Sequence, residues 1–522
     1  MRYEFWFGAI LPQLHLHNKM AATLQDLFHK LTIGENRLLV LQEIKRAIFS
    51  VQLEELKCMI KSVSLEPVFS SLGSTERASL EVSADILSRL LDCLEPEIVL
   101  AQLRDDLYMG MGHPNEHIRQ VCLHQVERLV ESDIGRNNLK NDEELLANVV
   151  STVGDESLAV AKIAMKSLKS LSRDPAEIKL IFEGNLRAPL KRVAASNDTI
   201  KYRVLEIATS VSIVSPVALE IVNNSELLQM LLSDLHTEDD LVQLNAIEML
   251  CVLVDCPHGI SFLEEEGVLR KLEEMLKESE QDPSQDFLLP ELIKFFGALA
   301  RHQPKEVSER YPAFLRCSFK LLEGCEAALV NIAVETLGFI GTSTDGKRTL
   351  NKQGKSMTDA LSILGRLIQV PPTEVRVRAL SALACLFSVQ KDEMNEDLEA
   401  MLEQWFAQVS SKPFELILSL CRQPFMEIRC PSLSILEALC NHRWAQTVLS
   451  NSPGFHEYLL DRSTEHEKIG KEAKYTVVKA LAEAYHTADV FGRPYLLKLR
   501  EYVRDGPFYV RAQSEVVVEG NQ

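Results

Sequence analysis

The chain is poor in aromatic residues, lacks closely spaced cysteine pairs and has no apolar run of membrane length. Aromatics make up 6% of its 522 residues against 46% hydrophobic, so burial must come from aliphatic side chains, as in packed helices. Basic residues are outnumbered, 56 to 75, for a formal charge of −19. That surface repels phosphate backbones and argues against a nucleic-acid ligand. It leaves plain solubility and attraction to a basic partner segment. The 11 cysteines are odd in number and form no Cys-x-x-Cys motif. Cys122, Cys251, Cys385 and Cys440 lie within hydrophobic helical stretches and read as small core residues. A reducing compartment is expected, the cytoplasm and with it the nucleus. No apolar stretch approaches the roughly 20 residues needed to span a membrane.

What is present is a repeat. Val375–Leu386 (VRVRALSALACL) reads hydrophobic, then a small residue four positions on, then hydrophobics four and seven further. This is one face of an α-helix, with a small residue where a neighbour must come close. The same pattern has anchors at Ala84, Cys122, Ala164, Val204, Ala246, Ile293, Ala333, Ala379, Ser432 and Val477. Successive anchors lie 38 to 53 residues apart, a period of about 44, which is that of HEAT and armadillo repeats. The spacing predicts an all-α, armadillo/HEAT-like α-solenoid of about ten helical repeats, each burying its face on the next.

The organisation along the chain follows. Residues 1–19 are expected to be a disordered N-terminal extension, with Met20-Ala21-Ala22 resembling a start. Residues 20–62 predict an N-terminal helical cap of two helices, 63–490 the solenoid, and 491–522 a C-terminal helix and extended tail packed at Phe508 and Tyr509. Prolines such as Pro175, Pro216, Pro257, Pro304 and Pro413 fall between periodic segments, where a missing N–H costs least. Thr373 is expected to cap the helix that follows two prolines. Pro431 predicts a later helix start or a kink. The widest gap, between Ala379 and Ser432, predicts an insertion or an extra helix around Trp405, and Lys277–Asp286 a flexible polar loop.

Two short motifs bear on catalysis. His113-Pro114-Asn115-Glu116-His117 fits the H-x-x-E-H pattern of zinc hydrolases. Pro114, however, suits the first helical position and would leave His113 outside the helix, so a turn between repeats is favoured. Gly341–Arg348 (GTSTDGKR) nearly fits a phosphate-binding loop. Arg348 replaces the magnesium-binding hydroxyl, and a helix rather than a strand precedes it, which favours a flexible loop. No Gly-x-Ser-x-Gly elbow or paired carboxylate motif is present. No metal or cofactor is expected, and nothing argues for an enzyme.

The useful constellation is the repeat ladder. Positions two and six after an anchor face outward: His124 and Arg128, Lys166 and Ser170, Glu206 and Ser210, Glu248 and Val252, Glu335 and Phe339, Ser381 and Cys385. The Trp and Asn ladders of an armadillo import receptor are missing. Arg128, Lys166, Glu206, Glu248, Glu335 and Ser381 are the expected partner-binding residues, a row passing from basic to acidic.

Pro96–Gln120 (PEIVLAQLRDDLYMGMGHPNEHIRQ), Leu241–Leu272 (LVQLNAIEMLCVLVDCPHGISFLEEEGVLRKL), Gly506–Arg511 (GPFYVR) and Val518-Glu519-Gly520 carry a resemblance. The chain over about 20–522 resembles the non-ATPase regulatory subunit 5 family of the 26S proteasome, assembly chaperones of the proteasome base. The resemblance implies an armadillo/HEAT-like fold. It implies binding to C-terminal domains or tails of base-ring ATPase subunits, alongside other base subunits in an assembly intermediate. Holding those tails would prevent premature docking on the proteolytic core, with release before the complete particle forms. It assigns no contact residue. Two other readings stay open: a generic cytosolic armadillo-type scaffold, and a zinc hydrolase using His113 and His117.

Overall fold

A computed structural model describes residues 23–33, 36–60, 64–281, 287–324 and 326–510. Among them there is no strand, and no single helix is long and apolar enough to cross a membrane. Residues 1–19, the second half of the expected loop (282–286) and the tail from 511 lie outside the described residues. The chain forms two compact units, Met1–His236 and Thr237–Gln522.

Each expected anchor lies on a helix of its own. These ladder helices are α1 (Arg77–Leu91), α2 (Glu116–Glu131), α3 (Leu158–Leu171), α4 (Asp198–Ser212), α5 (Asp240–Cys251), α6 (Leu289–His302), α7 (Ala327–Ile340), α8 (Thr373–Phe387), α9 (Met426–Leu439) and α10 (Lys468–Glu483). All ten anchors are buried. In the first unit α1 to α4 stack in chain order, and in the second α5 to α10 do the same, so each unit is an armadillo/HEAT-like solenoid. The small residues set the spacing. A Cβ on Gly338 of α7 would lie 3.1 Å from the Cα of Ala382 on α8. Gly110, on the helix Pro96–Met111, likewise admits the Cys122 side chain of α2.

From α3 onward each ladder helix is preceded by two others. Asp133–Lys140 and Glu143–Thr152 lead to α3, and Pro175–Phe182 and Arg187–Ala194 lead to α4. Pro175, Pro216, Pro257, Pro304 and Pro413 open the first of these or its partner, where proline's absent N–H would be unbonded anyway. The wide gap holds no extra helix. It contains the usual two, Glu396–Val409 and Pro413–Leu420, and its length comes from the connection after α8 and the long first helix. Trp405 is buried there and donates to Asn351 Oδ1 at 3.0 Å.

Several local expectations are corrected. The N-terminal cap has three helices, 23–33, Arg37–Phe49 and Leu53–Ile60. Lys277–Gln281 is not loop but the end of the helix Val268–Gln281. Thr373 is the first helical residue, and Pro372, in extended backbone, occupies the cap position with no side-chain bond. α9 starts at Met426 and runs on through Pro431, forgoing the one backbone bond that proline cannot donate. At the C-terminus the helix Arg493–Asp505 is present, and Tyr509 lies 5.4 Å from the Arg462 guanidinium.

A second register runs beside the anchors. At three anchors, Cys122, Val204 and Ser432, the residue three positions earlier is a hydrogen-bond donor that reaches out of its own helix to a carboxylate. Arg119 on α2 makes a bidentate pair with Asp155 (2.7 and 2.8 Å) and also donates to His113 O and Pro114 O. Arg429 on α9 binds Glu465 Oε2 at 3.0 Å and donates to Gln423 O and Pro424 O. Lys201 on α4 pairs with Asp234 at 3.0 Å. Each acceptor carboxylate lies just ahead of the next repeat's ladder helix position. Both side chains of the Arg429–Glu465 pair are nearly removed from water, at 12% and 2% exposure. Truncating one partner strands a buried charge. Arg429→Ala should therefore destabilise the second unit by about 3–5 kcal/mol. A urea titration followed by circular dichroism checks this, and adding Glu465→Leu should restore much of the loss.

Two lysines are buried outright. Lys347 donates to Gly341 O and to Cys385 O at 3.2 Å, and Lys474 to Tyr458 O, Thr464 Oγ1 and, at 2.6 Å, Asp461 O. Burial lowers both ammonium pKa values to about 8 from 10.5. The unfolded chain thus holds these protons to higher pH, and their cost to folding, full below pH 8, is lifted as pH rises toward 10.5. Burial acts oppositely on thiols, pushing Cys122 up to about 12 and Cys251 and Cys317 up to about 11 from 9.0, so stability is lost above pH 9. The melting temperature should rise between about pH 7.5 and 9 and then fall. In a Lys347→Met/Lys474→Met variant the rising limb should flatten, whatever the variant's absolute stability.

Candidate partner-binding face

The ladder helices carry the expected site. Burying the anchor and its neighbours turns positions two and six beyond it to the surface, and none of the twelve outward positions is buried. Arg128, Lys166 and Glu206 belong to the first unit, Glu248, Glu335 and Ser381 to the second.

Their partners differ from what two positions per helix suggest. Arg128 is half-spent on structure: it donates to Leu91 O (2.9 Å), Leu94 O (2.8 Å) and Gln125 Oε1 (2.7 Å), closing the carboxyl end of α1. Lys166 pairs with Glu127, whose hydrogen bond holds the ammonium above its usual range. Burial pushes Glu127 upward, but its bonds to Lys166 and His124 outweigh that and hold it low. Glu206 accepts from Lys169 at 2.6 Å. In the second unit Glu335 pairs with Arg378, which also binds Glu374 at 3.0 Å. Ser381 Oγ donates to Val377 O at 3.0 Å. Glu248 is exposed and has no ion-pair partner among the described residues.

The row is thus modified by neighbours outside it. Lys166, Glu206 and Glu335 each meet an adjacent charge of opposite sign, while Arg128 bonds carbonyls and Glu248 stands alone among the described residues. Glu127, Lys169, Glu374 and Arg378 were missed because they fall off the two positions read, though the four-residue spacing of Glu374 and Arg378 marks them as helix neighbours. Paired, exposed charges of this kind bind weakly but fix register against a complementary surface. Phe339, half-exposed on α7 amid these pairs, supplies apolar contact area.

The two enzyme-like motifs resolve into structure. His113 accepts from Asn115 N at its Nδ1 (3.0 Å), which leaves its Nε2 to donate to Leu72 O at 3.1 Å. Both ring nitrogens are committed. α2 begins at Glu116, two residues after Pro114, and Asn115 caps it by accepting from His117 N. No group of residues suited to a metal ion occurs among the described residues. The phosphate-loop string is not a flexible loop. Ser343 caps the helix Thr344–Asn351 by accepting from Gly346 N, and the Lys347 ammonium is turned inward.

The ladder helices thus carry exposed ion pairs on an armadillo/HEAT-like solenoid fold. Residues 19–522 match the model of a family described as proteasome non-ATPase 26S subunit. The chain belongs to that family. A Bos taurus member, "26S proteasome non-ATPase regulatory subunit 5", is 39% identical over 502 residues, covering 96% of this chain and all of the relative. The Homo sapiens protein of that name is 37% identical over the same share. Among solved structures, importin beta matches with a TM-score of 0.64 at 12% identity, over 93% of this chain and 69% of that one. That likeness speaks to the fold alone.

Equilibrium dialysis against zinc should leave the protein without a stoichiometric ion, and a chelator should leave its helical circular dichroism unchanged. Zinc retained at one per chain, and lost on His113→Phe, would contradict the assignment of His113 to Leu72.

Proposed function

We propose that the protein is a non-catalytic assembly chaperone of the 26S proteasome regulatory particle. Its ladder faces bind C-terminal regions of base-ring ATPase subunits, keep them from docking early on the proteolytic core, and release them before the complete particle forms. The observation that carries this reading is full-length kinship with 26S proteasome non-ATPase regulatory subunits, on a fold of stacked helices with an exposed ladder face. A stacked scaffold holds its contacts pre-organised, so ordering costs fall mainly on the partner tail. Proteasome components are the partners, and the cytoplasm, with the nucleus, is the compartment this implies. The regulatory-subunit names and the helical fold also support the absence of catalysis.

Affinity capture should recover base ATPases and other base subunits without core-particle subunits. A general scaffold would bring down neither set selectively. Glu248→Lys combined with Phe339→Ala should reduce captured ATPase about tenfold at an unchanged melting temperature, since both side chains are exposed. Capture at the wild-type level by this variant would move the binding face elsewhere.

A further inference from the structure

A deep concavity of the first unit lies off the ladder. It lies among Leu53–Ile60, Glu66–Ser70 and Pro96–Met111, helices of the outer layer, and encloses about 1070 Å³. Its floor is apolar, with Leu65 and Cys93 buried and Phe69 and Leu94 partly so. Two large apolar side chains stand open on its wall, Ile98 at 43% and Met109 at 72% exposure. They sit on one helix, on either side of a break at Leu103, whose φ of −125° and ψ of 23° leave the helical region. The break lets the two halves of that helix line one groove from both ends.

The rim is acidic. Glu66, Glu95 and Asp106 line it, and none has an ion-pair partner among the described residues. The nearby cations are committed elsewhere. Lys57 binds Glu54 at 3.0 Å, and Arg104 binds Asp142 and Glu144 at 2.8 and 2.7 Å. His113 lines the groove with both ring nitrogens already hydrogen-bonded to backbone, to Asn115 N and Leu72 O. Burial, together with the nearby Asp105 and Glu66 charges, pushes the Asp106 carboxyl up, the response of a group that lacks a counter-cation.

We propose that this groove docks an amphipathic, basic α-helix of a partner protein, its apolar side chains between Ile98 and Met109 and its Lys or Arg residues on Glu66, Glu95 and Asp106. A helix is favoured over an extended strand because the described residues offer no sheet edge for a strand to join. The volume exceeds that of ordinary small-molecule pockets, about 300–1,000 Å³, and the exposed walls suit a rod laid along them. Apolar contact provides affinity, and the unpaired carboxylates select for positive charge. The groove is built without any outward ladder position, so it is a second surface, independent of the one proposed above.

The test uses the full chain and a fluorescein-labelled helical peptide of leucine and lysine, about 15 residues long. A scrambled peptide of identical composition controls for attraction to the acidic protein at large. Fluorescence anisotropy should show the amphipathic peptide binding at least about tenfold more tightly than the scramble. Ile98→Ser/Met109→Ser should weaken it about tenfold, and Glu66→Gln/Asp106→Asn about fivefold, with melting temperatures unchanged because all four side chains are exposed. Hydrogen exchange should slow over Pro96–Met111. Equal binding of the two peptides, equal binding by the variants, absence of binding, or protection confined to ladder helices would each overturn the proposal.

Discussion

Everything in this fold depends on how closely successive ladder helices can approach. The anchors permit contact, but small residues alone would leave neighbouring helices free to slide. The donors three residues earlier remove that freedom. Arg119, Lys201 and Arg429 each hold a carboxylate that precedes the next repeat, and the two arginines also grip the carbonyls of the turn before their own helix. One guanidinium thus joins the turn before its helix to the turn before the next. Its five donors in a fixed fork suit that task in a way a single ammonium does not. The arrangement resembles a staircase pinned at both edges of every tread.

The sequence made the ladder legible because a period near 44 residues was written in positions that must be small and apolar. All ten anchors fell on separate helices for that reason. The three-helix make-up of the repeats was less visible. The extra helices are as short as six to eight residues, as at Phe455–Leu460 and Pro175–Phe182, too brief for periodicity to declare them. Motif reading erred in one consistent direction. His113 and Lys347 look chemical in a string of letters, yet both side chains bond to backbone carbonyls, His113 to that of Leu72 and Lys347 to that of Gly341. Polar residues between repeats often serve the orphan groups at helix ends, and local sequence does not distinguish that duty from catalysis. The family resemblance supplied what spacing could not, because a partner's identity lies in surface detail rather than in the period.

The candidate face was legible as a set of positions and illegible as a field. Outward direction follows from helical geometry once the anchor is known. Net potential does not, because it depends on which charges of adjacent helices meet. Lys166 beside Glu127 and Glu335 beside Arg378 cancel at short range what each would project alone. Such a surface discriminates by the placement of dipoles and small apolar areas such as Phe339. The outer groove near the N-terminus has the opposite character, with unpaired carboxylates over an apolar floor. The two surfaces therefore differ in kind, one of paired charges and one of unpaired carboxylates over apolar side chains.

The clips also define what counts as one unit of this chain. In the three clips, Arg119–Asp155, Lys201–Asp234 and Arg429–Glu465, donor and acceptor sit in consecutive repeats, so where they occur the indivisible module is not a helix triplet but the span from a carboxylate such as Asp155 to the following donor Lys201. A duplication or deletion cut at those borders leaves every charge with a mate. A cut inside a triplet strands one charge at each new junction. Growth of the array by whole modules would thus preserve its electrostatics automatically, whereas piecemeal lengthening would have to rebuild them at every step.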